Sequence, residues 1–364
     1  MLALVLVSVN ASACAPRIVH GPASDPGGWS EPLGSGTRAP SAAETVPPEP
    51  DRWWRVRLGR AAAGPPALGD QVIAILGVDR DLTLVQFETG DPIWRRQLSA
   101  PGAGGPLIAG DRVYAASAGR SAEVYAFRLE DGKRLWRREV GPVIGPIATA
   151  RGLVIVATEA GDVTALTPAG GERRWTRRLH GPVRSGVTAL GEDVLVATDD
   201  SVMLLAAVDG TVRHSVATPG AVIAPPAWLG DTIVLASPDG LLFGLGRDDL
   251  ALLWSIRTDG PIFGGPVIAR DTVFAVSVGG WLWRVPLDNP YDDTSDSLGA
   301  PVRASPAPVA HGVLIGTLAG EVLLVERDTV MRRARLAGPI EQPPIVRHGV
   351  LLVIDGKGTM EAWR

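Results

Sequence analysis

Proline returns every forty residues along this chain. Pro66, Pro106 and Pro146 are forty apart, and so are Pro226, Pro266 and Pro306; Gly186 fills the empty slot, and Pro344 closes the series two residues early. A period of that length marks an array of one supersecondary unit stacked on its neighbours. A tryptophan series runs in the same register. Trp94, Trp136, Trp175 and Trp254 follow Pro66, Pro106, Pro146 and Pro226 by 28, 30, 29 and 28 residues, and Trp54 comes one unit earlier. His214, Thr294 and Arg332 take the tryptophan slot in the remaining units. A turn stands four residues before each slot, at Gly90, Gly132, Gly171 and Gly210, then at Leu250, Pro290 and Asp328.

Residues 141 to 179 show the unit most clearly. A proline-flanked apolar run leads to a turn at Arg151-Gly152. Proline is tolerated at the first residue of a strand or at an edge, but not inside a sheet. Leu153 to Thr158 is β-branched and apolar throughout, as a strand covered on both faces must be. Ala160-Gly161-Asp162 is a hairpin turn, Val163 to Leu166 alternates, and Gly170-Gly171 turns the chain into a last strand around Trp175. Four short strands in about forty residues make one propeller blade. Gly (44) and Pro (31) together are about a fifth of 364 residues; without a period such a share signals disorder, whereas here it recurs as turns.

The expected fold is therefore all-β, an eight-bladed propeller over residues 51–364, with seven blades as the alternative if one weak unit fails. Seven units end at Trp94, Trp136, Trp175, His214, Trp254, Thr294 and Arg332, and an eighth begins near Leu336 with three strands. Trp53 to Leu58 is expected to supply its fourth strand and close the ring, which leaves no open sheet end. The sixth unit is weak: 288 to 297 lacks an outer-strand pattern, so an irregular solvated loop is expected in its place. The tryptophans are expected to pack between blades, each indole N–H bonded to a backbone carbonyl.

The first fourteen residues read as a leader. Leu2 to Ala13 is apolar and small and ends at Cys14, the single cysteine. That arrangement resembles a bacterial lipobox, in which the cysteine is lipidated; Ala11 departs from its usual leucine and no basic residue precedes. The apolar run is too short to span a bilayer. Residues 15 to 50 carry eight prolines and five glycines and read as a flexible tether. One cysteine allows no intrachain disulfide, and a net charge of −4 opposes nucleic-acid binding.

The strings Phe87-Glu-Thr-Gly-Asp-Pro-Ile-Trp94 and Phe127 to Trp136 resemble the A-x-D-x-x-T-G-x-x-x-W repeat of PQQ-like propellers, with Thr89-Gly90 and Trp94 in place and the aspartate matched loosely. Behind a lipobox, such a ring resembles the BamB family, lipoproteins of the outer-membrane β-barrel assembly machine. The resemblance implies a non-catalytic scaffold, monomeric apart from its partners, facing the periplasm, with the assembly subunit BamA as partner and no cofactor. The alternative is a sensor lipoprotein that binds a quinone or small ligand. A quinoprotein dehydrogenase would need a bound ion and, by resemblance, a vicinal cysteine pair that this chain lacks.

Other groups carry less. His20, His180, His214, His311 and His348 are scattered; His311 and His348 precede glycine at the same turn of successive units. Asp288, Asp292, Asp293 and Asp296 cluster without the spacing of a calcium loop, and read as a solvated surface loop. The pairs Arg95-Arg96, Arg137-Arg138, Arg173-Arg174, Arg177-Arg178 and Arg332-Arg333 flank the outer strands. They read as charged edges that block aggregation, against an alternative of a rim for anionic headgroups.

Overall fold

The computed structural model describes residues 44–326 and 329–364. Cys14, the leader 1–14, the tether up to residue 43 and the turn at Asp328 lie outside the described residues. Eight four-stranded antiparallel sheets form the ring. Within a blade the strands follow chain order from hub to rim, as in blade 3: Ala148–Ala150, Leu153–Ala157, Asp162–Leu166 and Arg173–Arg178. Blade 8 is the exception. Its first three strands are Ile345–Arg347, Val350–Ile354 and Thr359–Trp363, and its rim strand is Arg52–Arg57 from the other end of the chain. The register runs Trp54↔Ala362 to Arg57↔Thr359, extended by mutual backbone bonds between Asp51 and Arg364 at 2.8 and 3.0 Å.

The second and third strands are apolar through most of their middle positions because each lies between two neighbouring blades. Val72–Leu76 is buried at every residue, whereas the rim strand Arg173–Arg178 is exposed except at Trp175. At the hub, the connections between blades touch backbone to backbone. A Cβ on Gly145, for example, would stand 2.6 Å from the Cα of Gly186. Small residues and prolines recur there because nothing larger fits.

Strand pairing shifts part of the proline register. Pro106 directly precedes Leu107, which pairs with Tyr114; in blade 3, Ala148 pairs with Ile155, so Ile147 holds that slot. Val187 holds it in blade 4. Pro146 and Gly186 therefore sit one residue earlier, alongside Pro65 and Pro225. A longer turn between the second and third strands of blade 2, at residues 118–122, offsets the forty-residue count. The sixth unit also departs from expectation. Thr294–Ser297 is a rim strand, paired from Arg284↔Thr294 to Trp281↔Ser297, and only 287–293 is irregular. Backbone pairing needs no apolar pattern, and Arg284 binds Asp296 across the pair.

Four tryptophans share one seat at the rim. Trp54, Trp94, Trp136 and Trp175 donate their indole N–H to the carbonyls of Phe87, Leu129, Pro168 and Ala207, each in the turn of the next blade, at 2.8–3.0 Å. The ring lies against the glycine of that turn. A Cβ on Gly132 would be 2.6 Å from the Trp94 ring, and one on Gly210 equally close to Trp175. Both glycines have φ near +70°, so geometry and space exclude other residues together. Trp254 differs: it is buried against Gly244, its cross-strand neighbour.

Where the tryptophan is missing, the turn changes with it. His214 is exposed, and the turn position facing it in blade 5 is Leu250, at φ 59° and fully buried. A left-handed leucine costs about 1–2 kcal/mol, and its side chain fills the seam beside Leu204 and Phe243 that an indole fills elsewhere. His214→Trp alone is expected to overpack the seam and cost about 1–3 kcal/mol. Leu250→Gly alone should open a cavity and cost about 2–5 kcal/mol. The double variant rebuilds the common seat, so its loss should fall short of the sum by at least about 1 kcal/mol in urea unfolding. Additive losses would refute the pairing.

The closing blade buries a charge. Glu361 is 3% exposed, with Arg55 at 3.3 Å and Arg52 at 3.8 Å, both half-exposed, and its Oε2 has no hydrogen-bond partner. Burial pushes its carboxyl above the ordinary value; Arg52 and Arg55 oppose the rise and Asp355 adds to it. A carboxyl raised on folding holds its proton more tightly in the ring than in the unfolded chain. Its contribution is thus present at low pH and lost as pH climbs through the raised value. Glu361→Gln should therefore gain stability relative to the parent as pH rises, read as a widening gap between urea midpoints. Parallel curves would contradict this.

Candidate interaction surfaces

The ring has two unlike ends. At the loop end, the connections between blades meet the turns between second and third strands. Each of six connections holds a buried aliphatic anchor: Val143, Val183, Val222, Ile262, Val302 or Ile340. The residue after each anchor is Ile144, Arg184, Ile223, Phe263, Arg303 or Glu341, none of them buried. Phe263 is 38% exposed, with the Arg303 guanidinium 5.5 Å from its ring centroid. Pro261 and Val302 are tied to the turn at Val278 by backbone bonds, and Trp281, the first residue of the strand after that turn, is 40% exposed. Arg184 instead binds Asp199 at 2.8 Å. This end is suited to adhesion, with aromatic faces flanked by cations.

At the turn end, hub turns stand beside the turns leading into the rim strands. Two cavities open there. One, of about 370 Å³ between blades 2 and 3, is walled by Arg112, Tyr114, Arg151 and Leu153 among others. The other, of about 530 Å³, lies between blades 6 and 7 against Arg270, His311, Glu326, Thr329 and Met331. The segment 44–50, the last part of the expected tether, is seated on this end. The Glu44 carboxylate accepts N–H bonds from His348 (2.9 Å) and Gly349 (3.0 Å), and Val46 packs on the core between blades 7 and 8. Arg333 donates to the carbonyl of Pro48. No sequence signal marked this contact, because the segment is short and rich in proline.

The arginine pairs have a role that sequence reasoning missed. Arg96, Arg138 and Arg177, each two residues past a seated tryptophan, donate Nε–H to the carbonyls of Gly132, Gly171 and Gly210 in the next blade at 2.8–2.9 Å. The constant spacing was visible in the sequence. Arg95, Arg137, Arg178 and Arg332 face Asp81, Glu123, Asp162 and Glu321 at 2.8–3.6 Å on their own blades. Four of these ten arginines thus face carboxylates, and Arg333 joins Arg96, Arg138 and Arg177 in bonding a backbone carbonyl.

Chemistry-bearing groups are not brought together. His180, His214, His311 and His348 stand on separate loops and strands. Among the described residues no three His, Cys, Asp or Glu side chains form a metal-ligating group. Of the acidic loop, Asp296 binds Arg284 and Asp288 accepts the N–H of Asn289. Ser99 hydrogen-bonds Glu123 and Tyr125, and the Tyr125 hydroxyl holds the Glu123 carboxyl below its ordinary value. That network fastens a connection to its blade. In the turn before the rim strand of blade 2, Arg128 and the Lys133 N–H lower the exposed Asp131 carboxyl to about 2. No described helix is long and apolar enough to cross a membrane.

The fold and its seams define a β-propeller of PQQ-like repeats. Residues 47–143 and 120–282 match the family model described as outer membrane protein assembly factor BamB, and the chain belongs to that family. Among solved structures, BamB from Moraxella catarrhalis superposes with a TM-score of 0.76 at 16% identity, over 86% of this chain and 99% of that one. The computationally designed Ika8 protein reaches 0.74 at 11% identity, covering 86% and 99%, and Sqt1 from Saccharomyces cerevisiae 0.72 at 11%, covering 86% and 98%. At such identities the likeness is one of fold. No curated protein sequence matches the chain.

The clamp separates the two kinds of rim arginine. Arg177→Ala is expected to cost about 1 kcal/mol, the usual net value of one hydrogen bond. Arg174→Ala, on an exposed neighbour, should stay within about 0.5 kcal/mol. Equal effects in denaturant titration would show that the bond to Gly210 contributes nothing.

Proposed function

We propose that this chain is a non-catalytic, membrane-tethered scaffold in the assembly of outer-membrane β-barrel proteins. The observation that carries the reading is the BamB family match, which spans most of the ring. Propellers host many unrelated functions, so the fold alone would not suffice. The lipobox-like ending at Cys14 supports a lipid anchor, and with the family match it supports a ring that faces the periplasm from the outer membrane. In this role the ring works by recognition. The Phe263–Arg303 arc at the loop end and the cavities at the turn end are surfaces for protein, and open rim strands can accept an added strand from a partner. The assembly subunit BamA is the partner that the family indicates.

The test is affinity purification of the lipidated protein from detergent-solubilised envelopes, with partners identified by mass spectrometry. The barrel-assembly complex should be enriched, and the enrichment should fall in a Cys14→Ala form that stays soluble. A chain recovered alone would overturn the assembly role.

A further inference from the structure

The cradle that seats Glu44 is built twice. At the first, His348 and Gly349 are the central residues of the turn joining Ile345–Arg347 to Val350–Ile354, at φ 51° and 72°. Consecutive N–H groups in such a conformation converge and form an anion cradle; here they hold the Glu44 carboxylate. A third donor comes from the preceding blade. Ala310, the first central residue of the blade 7 turn, gives its N–H to the Glu44 carbonyl at 2.8 Å. Two residues on, Val46 enters the apolar seam.

The seam between blades 2 and 3 reproduces the cradle. Arg151 and Gly152 are the central residues of the blade 3 turn, at φ 52° and 72°. Among the eight hub turns, these two alone have both central residues at positive φ. Gly110, at φ 60°, is the first central residue of the blade 2 turn, the position that Ala310 holds in a turn without a positive φ. Outside the strand ladders, no backbone carbonyl among the described residues engages the N–H groups of Gly110, Arg151 or Gly152. The cradle opens into the cavity of about 370 Å³, where Arg112 is held by Asp111 at 3.3 Å and by the Pro168 carbonyl, and where Leu153 and the edge of the buried Tyr114 supply apolar wall. Arg151 pairs with Glu192 at 2.8 Å, but both side chains are more than half exposed, so the pair is weak and exchangeable.

We propose that this cavity is a recognition site for an extended acidic segment of a partner protein. A glutamate carboxylate sits on the Arg151 and Gly152 N–H groups, its carbonyl accepts from Gly110, and an apolar residue two positions on meets Tyr114 and Leu153. Arg151 places a permanent positive charge at the turn position that His348 holds at the occupied seat. The site stands whether or not the partner belongs to barrel assembly.

The probe is the heptapeptide Glu-Thr-Val-Pro-Pro-Glu-Pro, the sequence that the occupied seat already accepts as residues 44–50. It is titrated into the full chain carrying Cys14→Ala, and backbone amide shifts are followed by NMR. Saturable shifts at Gly110, Arg151 and Gly152 are expected. A peptide with its first glutamate replaced by glutamine should bind about tenfold more weakly, since a charge-assisted pair of bonds becomes neutral. Arg151→Asn, which keeps the left-handed turn, should weaken the parent peptide several-fold. Shifts confined to His348 and Gly349, equal affinity for the two peptides, or inorganic phosphate binding as tightly as the peptide would each overturn the proposal.

Discussion

No blade of this ring has a core of its own. Every buried apolar cluster draws from two neighbours: Leu84 of blade 1 packs with Val113 of blade 2, Val156 of blade 3 with Tyr114 of blade 2, and Leu314 of blade 7 with Leu351 of blade 8. Burial drives folding, so a blade acquires its stabilisation only when both flanks are present. The eighth seam then depends on bringing residues about three hundred apart in sequence together, through Arg52–Arg57 against Thr359–Trp363. The rim tryptophans, the arginine clamps and the seated segment 44–50 all reinforce that shared design at its outer margin.

Much of this was legible in the sequence, and the gaps have physical causes. Period, blade number and ring closure follow from patterning, because glycine, proline and tryptophan are constrained by space at hub and rim. The proline slot was misassigned at Pro146 and Gly186 because one longer turn offsets a count that strand pairing corrects. The rim strand at 294–297 was invisible because a solvated edge strand held by backbone bonds carries no apolar signature. Among the candidate surfaces, Phe263 and Arg303 become neighbours only when consecutive connections are folded side by side, forty residues apart. The match of the Arg151 turn to that of His348 lies in dihedral angles, which sequence does not display.

A designed ring and a yeast protein superpose on this chain almost as well as a BamB does. Shared architecture therefore cannot carry specificity, and the informative positions are those where the repeat stops repeating. His214 with Leu250 marks one such seam. The Phe263–Arg303 arc, the paired positive dihedrals at blades 3 and 8, and the irregular stretch 287–293 mark others. Each departs from the pattern of the other blades, and each lies at an end or an edge of the ring.

The seating of residues 44–50 also has a mechanical consequence. Chain preceding Glu44 joins the ring at the turn end, where the closing strand begins at Arg52. Tension from that side is taken first by the three bonds at Glu44, then by Val46 and the Arg333–Pro48 contact, before it reaches the ladder. The closing strand is then loaded along its axis, so its backbone bonds to Thr359–Trp363 share the force together instead of parting one at a time. The segment acts as a strain relief for the one joint on which a closed ring relies.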